Sequence, residues 1–247
     1  MPAKPAWPPK SLPRLFVRQP LAQWVQLEID GAQAHYLGTV LRLDEGDQLL
    51  LFDGDSGEWL GKIVAVRKRR LIVSIERHVR DAESVPDLSL AFAPIKRVQV
   101  DWLVEKATEL GIARLIPVVT QRTVVERVKL ERLQTIAIEA AEQCGRTRLP
   151  EIDAPVPLAT LLKERDPDRR LYFADEQGGE PLARAFAPGA AIILTGPEGG
   201  FTDDERAAIR GEANSIAVSL GPRTLRAETA ALAALAAWMA IAGDWRS

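Results

Sequence analysis

The residues best suited to chemistry sit in two glycine loops. In Ile192-Ile193-Leu194-Thr195-Gly196-Pro197-Glu198-Gly199-Gly200-Phe201-Thr202-Asp203-Asp204-Glu205 an apolar strand runs into a glycine-rich turn and then a helix start. Thr202 with Glu205 three residues on predicts a capping box, and Asp203 and Asp204 suit the positive end of the helix dipole. Glycines beyond the carboxyl end of a buried strand allow positive φ and close approach of the backbone to a ligand. The spacing is not that of a P-loop, because the Lys-Ser/Thr pair is missing, and it does not fit G-x-G-x-x-G. Glu198 would repel a pyrophosphate. It suits a ligand offering hydroxyl donors or positive charge, such as a nucleoside carrying a sulfonium and an amine, features that S-adenosylmethionine has. A tight strand-to-helix turn needing Pro and Gly for geometry alone fits the same spacing equally well.

The second loop, Gly221-Pro222-Arg223-Thr224-Leu225-Arg226-Ala227-Glu228-Thr229-Ala230, follows the strand Ile216-Ala217-Val218-Ser219-Leu220. Two glycine loops at strand ends could wall one crevice. Arg223, Arg226 and Glu228 put ionic groups just before an apolar helix, where burial makes an unpaired charge costly. An Arg-Glu salt bridge capping the helix is the plain alternative to ligand contact, and the two can coexist.

These loops need a sheet to hold them. From Asp87 onward, strand patterns at 88–92, 115–119, 171–174, 190–195 and 216–220 alternate with helical spacing at 100–110, stopped by Gly111, and at 130–144, stopped by Gly145. That alternation predicts an α/β domain with a mostly parallel sheet. Before it, the short apolar runs 49–52, 60–66 and 71–75, separated by Gly and Asp clusters, predict a small β-barrel, with Arg67-Lys68-Arg69-Arg70 at a hairpin tip. The expected division is a barrel over 1–80, with 1–13 poorly ordered, a linker over 81–87, and the α/β domain over 88–247.

The 247 residues carry 32 Lys and Arg against 34 Asp and Glu, a net charge of -2 that does not mark a nucleic-acid binder. The average hides an asymmetry: residues 1–80 hold 12 basic and 9 acidic side chains, net +3, and the rest are net -5. A single cysteine, Cys144, rules out an internal disulfide and fits a reducing cytoplasm. With only His35 and His78 there is no ligand set at zinc spacing, so no metal is expected. The longest uncharged run, 229–243, is shorter than the roughly 20 apolar residues of a membrane span and reads as a buried helix.

Taken together, Gly196-Pro197-Glu198-Gly199-Gly200-Phe201 and Leu220-Gly221-Pro222-Arg223-Thr224-Leu225-Arg226-Ala227-Glu228-Thr229-Ala230 resemble the RsmE family of 16S ribosomal RNA uridine-N3 methyltransferases, in the SPOUT superfamily. Lys106-Ala107-Thr108-Glu109-Leu110-Gly111, Glu139 to Arg146, His35, Val40-Leu41-Arg42 and Gly46-Asp47 are similar to further parts of that family, so the likeness runs from about Arg14 to Ala242. Thr224 stands where a β-branched aliphatic is usual and Thr123, after Arg122, where serine is commoner; neither change removes a group the chemistry needs.

The resemblance implies an α/β SPOUT domain with a C-terminal trefoil knot, preceded by a PUA-like β-barrel. The topology rules would reject a knot, which rests on the resemblance alone. It also implies S-adenosylmethionine as cofactor, 16S ribosomal RNA in the small ribosomal subunit as partner, a cytoplasmic location with no membrane contact, and a homodimer through the SPOUT domain. Leu232, Leu235, Trp238 and Met239 offer a packing face for that dimer. The implied cofactor pocket takes Leu194, Thr195, Gly196, Pro197, Glu198, Gly199, Gly200, Ser219, Leu220, Gly221, Leu225 and Arg226. Arg226, Glu198 and Glu228 are the catalytic candidates. Arg14, Arg42, Arg67, Lys68, Arg69 and Arg70 are expected on RNA phosphates, with Arg122, Arg146 and Arg148 nearer the reacting base. A ribosome-assembly protein that keeps this fold without the transfer is the competing reading; a nucleotide-phosphate enzyme is a weaker third, disfavoured by Glu198.

Overall fold

A computed structural model describes residues 12–67, 70–124 and 128–246. The expected disorder of 1–13 therefore falls almost wholly outside the described residues, as do Lys68 and Arg69. The chain forms two compact units, one taking residues up to Ser84 with Ala141–Leu149, the other Val85–Ala140 with Pro150 onward.

In the first unit, β1 (Arg14–Phe16), β2 (Gln26–Asp30), α1 (Gly31–His35), a π-helical turn (Tyr36–Val40), β3 (Gln48–Phe52), β4 (Glu58–Arg67) and β5 (Arg70–Arg80) follow one another. The strands form one sheet in the order β1-β3-β4-β5-β2, antiparallel except for the β1 and β3 pair. Period-2 alternation sets which face is buried: in β2, Leu27 and Ile29 point inward while Gln26, Glu28 and Asp30 stay exposed. Leu15, Leu37, Leu49, Leu51, Ile63, Leu71, Val73 and Ile75 share the core beneath.

The second unit runs β6 (Leu88–Phe92), α2 (Arg97–Glu109), β7 (Arg114–Val119), α3 (Leu130–Cys144), β8 (Glu151–Ile152), β9 (Val156–Pro157), α4 (Leu158–Glu164), β10 (Arg170–Ala174), β11 (Glu180–Pro181), α5 (Leu182–Ala185), β12 (Ala191–Thr195), α6 (Asp203–Gly211), β13 (Ser215–Ser219) and α7 (Ala227–Ile241). Its strands lie in the order β11-β13-β10-β12-β6-β7-β8, with β9 also on β7, and the pairings are parallel. A parallel sheet must be covered on both faces, and side-chain alternation divides this one between two cores. Ile193 and Tyr172 pack with Val104, Leu235 and Trp238 of α2 and α7. Ile192, Leu194, Leu171 and Phe173 pack on the other side with Leu161, Phe201 and Ile209.

Two expectations change here. Residues 141–149 belong with the first unit, not wholly with the α/β domain, because Arg14 and Arg80 hold the carbonyls at the end of α3. Leu235, Trp238 and Met239 are buried within the second unit's own core, so they cannot form a dimer face. Among the described residues no helix is long and apolar enough to cross a membrane.

Candidate active site

The sheet order decides where a site can form. β13, β10 and β12 are adjacent and parallel, so the chain leaves all three at the same edge, and ligands of open α/β sheets bind beyond that carboxyl edge. Residues 175–178, 196–200 and 219–226 follow the three strands and line one cavity of about 630 Å³, a size suited to a small organic ligand. Of the residues expected in the cofactor pocket, all but Leu194 line it. Leu194 is fully buried in the core below, packed with Phe201 and Ile209.

The first glycine loop is shaped by its neighbours. A Cβ on Gly196 would meet the Phe201 ring at 3.2 Å, and one on Gly199 would lie 3.3 Å from Arg122 Cδ. Gly200 has φ +67°, and a Cβ there would fall 2.4 Å from Glu176 Oε1. The capping box is present: Glu205 N–H donates to Thr202 Oγ1 and Thr202 N–H to Glu205 Oε2 at 2.9 Å. The other oxygen, Oε1, accepts from Gln121 N–H at 2.7 Å, tying the turn after β7 to the start of α6.

The segment after β10 was not legible in the sequence. Asp175 is buried and bridges two arginines: Arg206 Nη1 donates to one oxygen and Arg210 Nη2 to the other at 2.7 Å. Arg206 Nη2 also reaches Glu176 at 2.8 Å and the Phe201 carbonyl at 3.3 Å. Burial works against the charge on Arg206, but the hydrogen bond to Glu176 and the charges of Glu176, Asp175 and Asp203 hold its pKa above the ordinary value. The result is a fixed Asp175–Arg206 post between the β10 loop and the glycine loop.

The catalytic candidates separate by place. Glu198 and Arg226 are exposed and line the cavity. Glu228 is buried in the first turn of α7 and is not part of the lining, so it is not placed to reach a substrate proton. The helix-capping salt bridge is also absent: Arg226 makes no side-chain cap, and among the described residues it forms no ion pair with Glu228.

The RNA candidates separate in the same way. Arg42, Arg67, Arg70, Arg122 and Arg148 are exposed, Arg70 with an ion pair to Glu28 at 2.8 Å. Arg67 and Arg70, with His35, line a second cavity of about 590 Å³ against α1 and the π-helical turn. Arg14 and Arg146 are buried, contrary to expectation. Arg14 is buried, with Nε on Glu58 at 2.7 Å and its remaining nitrogens on the carbonyls of Ala141, Glu142 and Arg146. Arg146 is buried beside Glu83 at 3.1 Å. Neither guanidinium is available to a phosphate.

An RNA methyltransferase domain family matches residues 82–239, and an RNA methyltransferase PUA domain family matches 29–76. The ribosomal RNA small subunit methyltransferase E of Rickettsia conorii is 34% identical over 229 residues, 90% of this chain and 93% of that protein. The chain belongs to the ribosomal RNA small subunit methyltransferase E family. The Bacillus subtilis member is 29% identical over 238 residues, covering 90% of this chain and 93% of its own length. Among solved structures, the Neisseria gonorrhoeae member bound to S-adenosylmethionine superposes with a TM-score of 0.86 at 29% identity, over 95% of this chain and 99% of that one. A Legionella pneumophila methyltransferase with bound cofactor gives 0.84 at 32% identity, over 93% and 97%.

Proposed function

We propose that this chain transfers a methyl group from S-adenosylmethionine to N3 of a uridine in 16S ribosomal RNA. The observation that carries this reading is the cavity at the ends of β10, β12 and β13, in a chain that belongs to this methyltransferase family. The lining suits the cofactor: Leu220 and Leu225 give apolar surface for an adenine, bare backbone at Gly196, Gly199 and Gly221 allows close approach, and Glu176 complements an ammonium group or ribose hydroxyls. S-adenosylmethionine held there supplies a methyl group activated by positive sulfur. The protein's part is mainly positioning, since holding reacting groups in line can supply on the order of 7 kcal/mol. Glu198, on the cavity wall, is the group proposed to accept the imide proton of uracil. Arg226, also on the wall, stabilises the oxygen on which negative charge develops.

Arg42, Arg67 and Arg70 hold RNA phosphates on the first unit, which we read as the PUA-like barrel, and exposed Arg148 is a further candidate for RNA contact. The strand order supports the C-terminal knot. β13 lies beyond β10, and α7 packs against α2, α5, β12, β10 and β6, so the segment 220–226 turns back toward the middle of the sheet, as a C-terminal knot requires. The homodimer we assign to α2, which exposes Val98 and Trp102 one helical turn apart, in place of the buried α7 face. The cytoplasm, with the small ribosomal subunit as substrate, is the setting this reading requires.

Incubating the purified chain with labelled S-adenosylmethionine and either free 16S ribosomal RNA or small subunits, then mapping the modified base, tests the proposal. A single methyl at N3 of one uridine is expected. Transfer to tRNA or to another base atom contradicts the substrate, and absence of transfer with absence of cofactor binding returns the chain to the assembly reading.

A further inference from the structure

We propose that Arg122 is a positioning residue for the cofactor loop, holding its peptide planes in place before any RNA arrives. This rests on the reading of the 196–200 cavity as the cofactor site. Arg122 Nη1 donates to the Gly199 carbonyl at 2.5 Å and to the Phe201 carbonyl at 3.3 Å. The Gly199 carbonyl and the Gly200 N–H belong to one planar peptide unit and point opposite ways. The Gly200 N–H donates to the Pro197 carbonyl at 2.9 Å. Arg122 and Pro197 thus grip a single peptide from its two sides, between two residues with no side chains to anchor it. The carbonyl two residues on, that of Phe201, is held from a second direction by Arg206 Nη2 at 3.3 Å.

Arg122 is itself held. Its turn is closed by Thr123 N–H to the Thr120 carbonyl at 3.1 Å and Thr120 N–H to Thr123 Oγ1 at 2.9 Å. The adjacent Gln121 N–H is bound to buried Glu205. Gly199 leaves room for the arginine's methylenes, since any Cβ there would lie 3.3 Å from Arg122 Cδ. A guanidinium suits this task better than an ammonium, because the two N–H bonds of Nη1 are fixed in its plane. Lysine at this position keeps charge but loses the fixed plane of the donors.

The test uses the full chain without RNA. Wild type, Arg122→Lys and Arg122→Gln are titrated calorimetrically with S-adenosylmethionine, and hydrogen exchange at Gly200 is followed in the cofactor-free proteins. Loss of charge-assisted bonds predicts cofactor binding weakened about tenfold or more in Arg122→Gln, less in Arg122→Lys, with faster exchange at Gly200 in both. Gly199→Ala, which crowds the arginine without removing its charge, is expected to shift both readouts in the same direction. Cofactor affinity and exchange equal to wild type in Arg122→Gln, with only RNA binding reduced, would overturn the proposal and make Arg122 an RNA contact alone. If wild type binds no cofactor, the functional reading fails, while unchanged Gly200 exchange would still sink the positioning role by itself.

Discussion

Each unit buries one carboxylate between two arginines, and the two triads serve different ends. In the first unit Glu58 takes Arg14 Nε at 2.7 Å and Arg80 Nε at 2.9 Å, and the arginines' other nitrogens bind carbonyls at and just past the end of α3, those of Ala141, Glu142, Gly145 and Arg146. In the second unit Asp175 takes Arg206 and Arg210, and the leftover donors reach the carbonyls of Phe201 and Gly178, in and beside the loops of the cavity. A helix end leaves carbonyls short of partners, and the first triad supplies donors to Glu142 there and to the turn that follows. The second does the same for loop carbonyls, so its rigidity is passed to a site. Burial lowers the Arg14 pKa from its ordinary value, against the pull of Glu58, whereas Arg206 is held above its own by Glu176, Asp175 and Asp203. Where the spare donors point decides whether such a triad supports fold or function.

Breaking each triad should separate the two roles. Glu58→Ala leaves buried Arg14 facing Arg80 and is expected to cost about 3–5 kcal/mol, read as a lower first thermal transition, with cofactor affinity of the folded protein unchanged. Asp175→Ala is expected to cost a similar amount and also to weaken cofactor binding in calorimetry. Equal loss of cofactor binding in both variants would erase the distinction. Gly200→Ala sharpens it, since left-handed strain costs about 1–2 kcal/mol and the new Cβ displaces Glu176; a cofactor affinity reduced about tenfold is expected. Charge reversal at Arg67 and Arg70 should leave cofactor binding alone and flatten the salt dependence of RNA binding by about one in slope per arginine.

The smallest effect concerns Asp53, on the turn after β3. Burial alone would raise its pKa, but hydrogen bonds from Ser56, Asp55 and Leu21 bring it below the ordinary aspartate value. A depressed carboxylate contributes stability above its unfolded pKa and loses it as pH falls through the folded one. Asp53→Asn should therefore destabilise the first unit by under about 1 kcal/mol at neutral pH, discounted for partial exposure. The gap from wild type should close in acid, below the ordinary aspartate range.

Local patterns carried much of this molecule in the sequence. The Thr202 and Glu205 capping box, the glycine stops at 111 and 145, and the strand at 191–195 all follow from residues within a few positions of one another. The Asp175 post does not, because its partners stand 31 and 35 residues away and the residues after β10 carry no spacing signal of their own. Arg14 misled for the same reason: a basic residue near the start of a basic region reads as a phosphate contact until α3, 127 residues on, presents its carbonyls. Leu194 sits on the strand that feeds the loop, but side-chain alternation turns it into the core.

The measurement that bears most directly on the account is a crystal structure of the chain with S-adenosylmethionine bound. Density in the cavity at the ends of β10, β12 and β13, against Leu220 and Leu225, with Glu198 or Arg226 nearer the methyl group than Glu228, is expected. Cofactor held elsewhere on the chain, or within that cavity with both Glu198 and Arg226 far from the methyl group, would contradict it.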